Sequence, residues 1–220
     1  MPREENRKPN TLIKWISATV FLVAVVMAGS FIGGTFYPNI WTVEKMEKEF
    51  HKKELLVVQA LGLKEPDFEY TNKQEFLEST RKCVEYLNYT TDRFSRVPTS
   101  IIIAMAGVES GWGTSRFALE GNALFGVRTW DKNTPRMKAK GNPDAAWGVK
   151  KYETKCESVQ DMISILNRHP AYNEFRAERE KQLDVGKWNY RALMVRMSAW
   201  STNPDYADII LQAIVDNKLP

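Results

Sequence analysis

VPTSIIIAMAGVESGWGTSRFALEGNALFG, Val97 to Gly126, is the stretch from which the rest of the chain can be read. Its X-Pro-Thr-Ser entry is a helix start: Pro98 suits the first turn, and Thr99 and Ser100 can satisfy free backbone amides. The run from Ile101 to Val108 that follows has no polar face. A helix that is apolar all round is a buried central helix, and this one ends on a carboxyl group, Glu109. Burial disfavours the ionised acid, and the negative end of the helix dipole pushes the same way, so the sequence predicts an acid that keeps its proton. Ser110-Gly111-Trp112-Gly113 then breaks the helix and sets an indole beside the acid. A protonated carboxylic acid against an aromatic wall is what cleavage of a glycosidic bond asks of its proton donor.

The chain has 220 residues and a formal net charge of +4, with 43% hydrophobic and 26% charged residues, which suits one mid-sized globular domain with an appendage. There is no nucleic-acid motif and no glycine-rich phosphate loop, so nucleic acid is not an expected partner. His51 and His169 lie far apart, and Cys83 and Cys156 lack metal-ligand spacing, so neither a metal nor a cofactor is expected. The two cysteines are either one disulfide or two buried thiols.

Before the central stretch, residues 1–14 are polar, with Arg3, Arg7, Lys8 and Lys14 outnumbering Glu4 and Glu5. Trp15 to Tyr37 carries no charge and is long enough to cross a bilayer. The positive flank on its N-terminal side predicts a single-pass anchor in the inner membrane, with residues 1–14 in the cytoplasm and everything after Pro38 on the extracytoplasmic side. A cleaved signal peptide, cut near Ala28-Gly29-Ser30, is the competing reading; the apolar run continues past that point, which favours an uncleaved anchor. Residues 38–71 read as stalk and linker. Glu44/Lys48 and Glu49/Lys53 are spaced for an exposed helix, Leu55, Leu56, Val58 and Leu61 are placed to dock its end, and Gly62 to Thr71 is the linker. The folded domain is expected over 72–220.

Inside that domain Phe76, Thr80, Cys83, Val84 and Leu87 recur at helical spacing. Between Arg128 and Glu153, glycine, proline and alternation predict a small β-hairpin lobe. Thr154-x-x-Glu157 is a capping box opening a helix faced by Val159, Met162, Ile163 and Leu166 and stopped by Pro170. Leu193, Met194 and Met197, then Ile209, Ile210, Ala213 and Ile214, mark further helices, with Asn203-Pro204 as cap and first residue of the last. The class is mainly α with a small β part (α+β). The hairpin lobe is also basic: Arg128, Lys132, Arg136, Lys138, Lys140, Lys150 and Lys151 face only Asp131 and Asp144. That is either a solvated surface or a wall that gathers a polyanionic substrate.

The string GVESGWGTSRFALEGNALFGVR resembles the core motif of the peptidoglycan β-N-acetylglucosaminidases of glycoside hydrolase family 73, A-x-E-S-G-W-G-x-S followed by N-x-L-F-G-x-[KR]. Through VPTS, SRFALEGNALFG and the later HPAYNEFR it is similar to the Bax-type subgroup. The resemblance runs from about Phe76 to the C-terminus and implies a lysozyme-like fold. It also implies an endo-acting hydrolase of the β-1,4 bond between N-acetylglucosamine and N-acetylmuramic acid in peptidoglycan glycan strands, with Glu109 as general acid. Where the family is credited with a second acid, that acid lies in the hairpin lobe. Asp144 has a similar spacing here, Asp131 and Glu153 are also available, and a turn role for Asp144 is the alternative. WSTNPDYADII resembles the block Y-A-T-D-P-x-Y-A, whose last tyrosine reaches the acid. That assigns Tyr206 a place in the cleft, although Trp200-Ser-Thr-Asn departs from Tyr-Ala-Thr-Asp. Trp112, Phe125, Trp130 and Tyr152 are candidate sugar-stacking surfaces because pyranose faces are apolar. Asn122, in the Asn-x-Leu-Phe-Gly loop, is a binding or loop-bracing residue. A muramidase or lytic transglycosylase on the same fold, and a non-catalytic membrane-anchored wall-binding protein, are the alternative readings.

Overall fold

The computed structural model describes residues 11–36, 40–60, 62 and 64–219. The expected polar N-terminal segment through residue 10, the end of the apolar run at Tyr37 and the docking role of Leu61 fall outside them, as does the side chain of Leu55. The chain divides into two units, residues 1–50 and 51–220.

In the first unit, helix α1 (Thr11–Phe36) contains the apolar run. Lys14–Phe31 within it has a mean hydropathy of 1.7 and no residue buried by protein. Its hydroxyls turn back onto the helix, Ser17 Oγ to the Lys14 carbonyl at 3.0 Å and Thr19 Oγ1 to the Trp15 carbonyl at 2.9 Å, as an apolar medium would require of them. Helix α2 (Ile40–Ala60) is the charged segment read as a stalk. Of its expected docking residues Val58 is buried and Leu56 is exposed.

The second unit holds the folded domain. Helix α3 (Lys73–Thr90) starts where Asn72 Oδ1 accepts the Glu75 amide at 3.0 Å and buries the predicted face from Phe76 to Leu87. Helix α4 (Thr99–Ser110) is the central helix, buried at every position from Ser100 to Gly107. Its start differs from expectation. Pro98 is the cap, without a side-chain hydrogen bond, and Ser100 Oγ sits 3.0 Å from the Tyr190 hydroxyl instead of on the helix's own amides. Helix α5 (Arg116–Gly121) is capped by Ser115, and α6 (Lys155–Arg168) by Thr154 as predicted. A 3-10 turn at Pro170–Tyr172 leads to α7 (Asn173–Val185), followed by α8 (Tyr190–Met194), a 3-10 turn at Val195–Met197, and α9 (Tyr206–Asp216). Asn203 and Pro204 are not the cap and first residue of α9. Asn203 Oδ1 accepts the Asp205 amide at 3.0 Å in a turn, and the helix begins two residues later than Pro204.

The lobe is a three-stranded antiparallel sheet, β1 (Arg128–Thr129), β2 (Arg136–Met137) and β3 (Gly148–Lys150) in the order β1-β3-β2. Arg128 pairs with Val149 and Met137 with the same Val149 from the other side. Its basic residues are partly committed to contacts within the lobe and between the lobe and α6. Lys138 Nζ donates to the Ala145 and Trp147 carbonyls, Lys150 pairs with Asp161 at 2.9 Å, and Arg136 holds the Asp131 carbonyl. The expected free basic wall is therefore thinner than its sequence, because two of the lysines serve as internal struts.

Helix α4 packs against α3 and α9, α3 against α6, and α8 against α9, so the apolar helix is enclosed and the mainly α, lysozyme-like class read from the sequence is the one observed. Cys83 and Cys156 are joined, with 5.7 Å between their Cα atoms, and fasten α3 to the start of α6. The chain ahead of α3 also lies on the domain. Phe68, Tyr70 and Phe76 stack edge to face with centroids 5.1–6.1 Å apart, and the Tyr70 hydroxyl donates to the Gly113 carbonyl at 2.8 Å.

Candidate active site

Helix α4 delivers Glu109 to the surface through its own ending. Ser110 Oγ donates to the Ala106 carbonyl at 2.5 Å and accepts the Gly113 amide at 2.8 Å, Gly111 is the left-handed cap, and the Trp112 amide closes onto the Gly107 carbonyl at 2.7 Å. Trp112 itself holds φ at +56°, an unfavourable region for a bulky residue, and its ring explains why. The indole lies against Gly107, where a Cβ would come within 2.2 Å of it, and Lys73 Nζ sits 3.9 Å from the ring centroid. Gly107 and Glu109 are two residues apart and so project about 200° apart around the helix. The expectation that Trp112 stands beside the acid as a sugar-stacking wall is thus corrected: it is a wedge that locks the helix end. Gly113 has a similar function, since a Cβ there would meet the Tyr70 ring at 2.6 Å.

Glu109 is exposed and not sunk in an apolar pocket, so the burial argument made from the sequence does not describe it. What surrounds it is a pair of donors. The Tyr206 hydroxyl donates to Oε1 at 2.8 Å and the Trp200 indole Nε1 donates to the same oxygen at 3.0 Å. Among the described residues Oε2 has no protein partner, so one carboxyl oxygen of this cleft-lining residue is held and the other is left unbonded. Tyr206 is 7% exposed in the first turn of α9. Burial first, then the Glu109 charge and hydrogen bond, push its hydroxyl far above the usual tyrosine range. It therefore stays a donor at any working pH.

The cleft at Glu109 has a volume of about 610 Å³ and is lined on the lobe side by Phe125, Gly126, Val127, Arg128 and Trp130, and on the helical side by His169, Tyr172 and the Ala199–Thr202 loop. Of the expected stacking residues, Phe125 and Trp130 are therefore in the cleft. Phe125 is 2% exposed and presents little more than an edge, whereas Trp130 is 62% exposed and offers a ring face.

The remaining expected site residues lie elsewhere. Asn122, a left-handed helix cap, donates from Nδ2 to the Tyr152 and Glu153 carbonyls and accepts Lys155 Nζ on Oδ1. All its polar atoms are spent on bracing the loop. The Tyr152 hydroxyl donates to Asp161 at 2.7 Å, beside the Lys150 ion pair, so it is a strut between the lobe and α6 and no sugar platform. Asp144 sits exposed in the turn ahead of β3 and is not among the lining residues. Asp131 folds its carboxylate onto the Asn133 amide and the Thr134 hydroxyl, which hold it below the usual carboxylate range. Among the described lining residues Glu109 is the sole carboxylate.

Trp200, Tyr172, His169 and Arg128 line the cleft without having been singled out as site residues. Each had a signal. Trp200 lies where the tyrosine block departs from the family pattern, His169 and Tyr172 belong to HPAYNEFR, and Arg128 closes the N-x-L-F-G-x-[KR] motif. No group of histidine, cysteine and acidic side chains suited to a metal occurs among the described residues.

Residues 87–219 match the family model described as glucosaminidase, mannosyl-glycoprotein endo-beta-N-acetylglucosaminidase. Protein bax of Escherichia coli (strain K12) is 36% identical over 92 residues, covering 42% of this chain and 32% of that protein. Exo-glucosaminidase LytG of Bacillus subtilis (strain 168) is 30% identical over 154 residues, covering 67% of this chain and 52% of that protein. The chain thus spans 32% of one curated relative and 52% of the other. Among solved structures, the catalytic domain of the autolysin Auto from Listeria monocytogenes superposes with a TM-score of 0.51 at 20% identity, over 76% of this chain and 94% of that one. At that identity the likeness concerns the fold.

Proposed function

Because the chain belongs to the glucosaminidase family, we propose that it is a peptidoglycan hydrolase that cuts the β-1,4 bond leaving N-acetylglucosamine at the new reducing end, with Glu109 as general acid. The observation that carries the reading is the doubly held Oε1. With Tyr206 and Trp200 donating to one oxygen, the transferable proton belongs on Oε2, the oxygen without a protein partner among the described residues. Delivering it to the glycosidic oxygen leaves a carboxylate whose charge is shared between two fixed donors. The same two bonds keep the carboxyl group from rotating away from the leaving group. Tyr206 and Trp200 are in this reading positioning and charge-stabilising partners of the acid.

The cation developing at the sugar needs a stabiliser as well. A retaining pair of carboxylates would sit about 5 Å apart and an inverting pair about 6.5–9.5 Å apart. With Glu109 the sole carboxylate among the described residues lining the cleft, we favour the substrate's own 2-acetamido oxygen in that role, with Asp144 a turn residue. Trp130 offers its exposed ring to a pyranose face. Cutting within strands is part of this proposal and is supported by the description of the matched family model as an endo-beta-N-acetylglucosaminidase.

The test is digestion of purified sacculi and mass spectrometry of the released reducing ends. N-acetylglucosamine ends, produced early as long fragments, are the expected result. Ends in N-acetylmuramic acid or its anhydro form would assign a muramidase or transglycosylase. Binding to sacculi without any release of ends would assign a wall-binding protein.

The apolar helix α1 and the joined cysteines support a place on the far side of a membrane, since disulfides persist in oxidising compartments. In this reading residues 15–37 are a single-pass anchor in the inner membrane, residues 1–14 lie in the cytoplasm, the charged segment after residue 38 is a stalk, and the catalytic domain facing the wall begins ahead of residue 72, since Phe68 and Tyr70 pack on it.

A further inference from the structure

Arg128 stands in the cleft for a reason the acid chemistry does not supply. It is the first residue of β1, and strand alternation sends it into the cleft while Thr129, its neighbour, turns inward and is buried. The side chain is exposed, and its guanidinium carbon lies 4.1 Å from the centroid of the Trp147 ring. The Trp147 backbone is in turn held, because its carbonyl accepts Lys138 Nζ at 3.1 Å. A guanidinium in cation–π contact with an indole keeps its N–H groups as donors, a fork shaped for two carboxylate oxygens. Among the described residues Arg128 has no ion pair, although Arg116, Lys150, Arg191 and Arg196 all do. A prepared fork without a carboxylate, in the cleft that holds Glu109, has the geometry of a ligand contact.

We propose that Arg128, set over the Trp147 ring, binds a carboxylate carried by the glycan and so selects acidic wall strands over neutral amino-sugar polymers. This rests on the peptidoglycan reading above and adds to it the group that is recognised. Two sources present the same chemistry: the carboxylates of the stem peptide, and the ether-linked propionate of muramic acid once the stem has been removed. Neutral β-1,4-linked N-acetylglucosamine polymers have neither. The remaining cationic candidate among the lining side chains, His169, spends Nδ1 accepting the Ala171 amide at 3.2 Å, which leaves Arg128 as the permanent charge.

The experiment compares native sacculi with sacculi whose carboxylates have been converted to methylamides, measuring both hydrolysis by the full chain and pelleting of a Glu109→Gln form that binds without cutting. The wild-type cleft is expected to favour native over amidated sacculi about 10-fold in kcat/KM, about 1.4 kcal/mol, and to show the same preference in pelleting. Arg128→Gln should bring that ratio near one, and Arg128→Lys should retain part of it. A native-to-amidated ratio unaltered by Arg128→Gln would overturn the proposal, as would no preference in the wild type. Equal losses on both substrates leave the ratio unaltered and so overturn it too, since they show a residue that supports the fold and not one that reads the carboxylate. Amidase-stripped strands identify the source: a ratio that survives on them assigns the muramic propionate, and one seen only with stems in place assigns the stem. Sacculi neither cut nor bound by the wild type would remove the peptidoglycan reading itself, an outcome distinct from a ratio that ignores Arg128.

Discussion

At the scale of single residues, the proposed chemistry turns on the two oxygens of Glu109, one held by Tyr206 and Trp200 and one without a protein partner among the described residues. Glu109→Gln preserves volume but removes the proton, and turnover should fall about 10³-fold with the melting temperature nearly unaltered. Tyr206→Phe removes the 2.8 Å donor. It should cost about 10- to 100-fold in kcat with little change in KM, because the bond matters most once the carboxylate has formed. Asp144→Asn should stay within about twofold of wild type on sacculi; a loss as severe as that of Glu109→Gln would show that a second carboxylate is needed after all. The acid and its tyrosine were legible because short motifs in family order name them. Trp112 was misplaced for a physical reason. Two residues along a helix turn a side chain by about 200°, and the sequence alone does not tell which side of the helix end a following indole will fold onto. The empty side chain at Gly107 decides it.

At the scale of elements, the domain's border is set by packing and not by composition. Gly62 to Thr71 reads as a linker, yet Phe68 and Tyr70 stack on Phe76, and Tyr70 ties down the loop that follows Glu109. A fragment of residues 64–220 should therefore be more stable than one of 72–220 by roughly 2–3 kcal/mol, the worth of two half-buried rings. Thermal melting of the two checks this, and equal melting temperatures would restore the border at residue 72. The Cys83–Cys156 link closes a sequence separation of 73 residues, for which the loop-entropy relation suggests up to about 4 kcal/mol. Melting with and without a reductant should show it as a drop in stability that a Cys83→Ala/Cys156→Ala form no longer responds to.

At the scale of the whole molecule, two expectations concern conditions and place. Burial pushes the hydroxyls of Tyr206 and Tyr152 far upward in the folded protein, and the Asp161 bond adds to it at Tyr152. Unfolded tyrosines release their protons near pH 10, so below that pH both states are protonated and stability is full. Above it the unfolded chain binds fewer protons than the folded one, and stability falls by about 1.4 kcal/mol per pH unit for each tyrosine. Urea midpoints between pH 9 and 11 should show that fall, and Tyr206→Phe should reduce its slope. The second expectation is anchorage by residues 15–37: external protease on spheroplasts should degrade the domain while the full-length chain sediments with membranes. Soluble material shorter by about thirty residues would instead mark a removed signal peptide.

The central helix, the amphipathic faces of α3 and α6, the Thr154 cap, the short-stranded lobe and the acid at the helix end are local properties. Each depends on a period or a cap within a few neighbouring residues, and the sequence by itself determined them. Apart from Tyr206, which a motif named, the side chains that gather around Glu109 were decided by tertiary structure. Trp200 and Tyr206 reach it from the far end of the chain, Arg128 and Trp130 line the same cleft from β1 and the residue after it, where the strand pairs with residues some twenty positions further on, while Tyr152 and Asn122 are drawn away into struts. A side chain's partner depends on which faces the packed helices turn toward one another, and no pattern within a single element contains that relation.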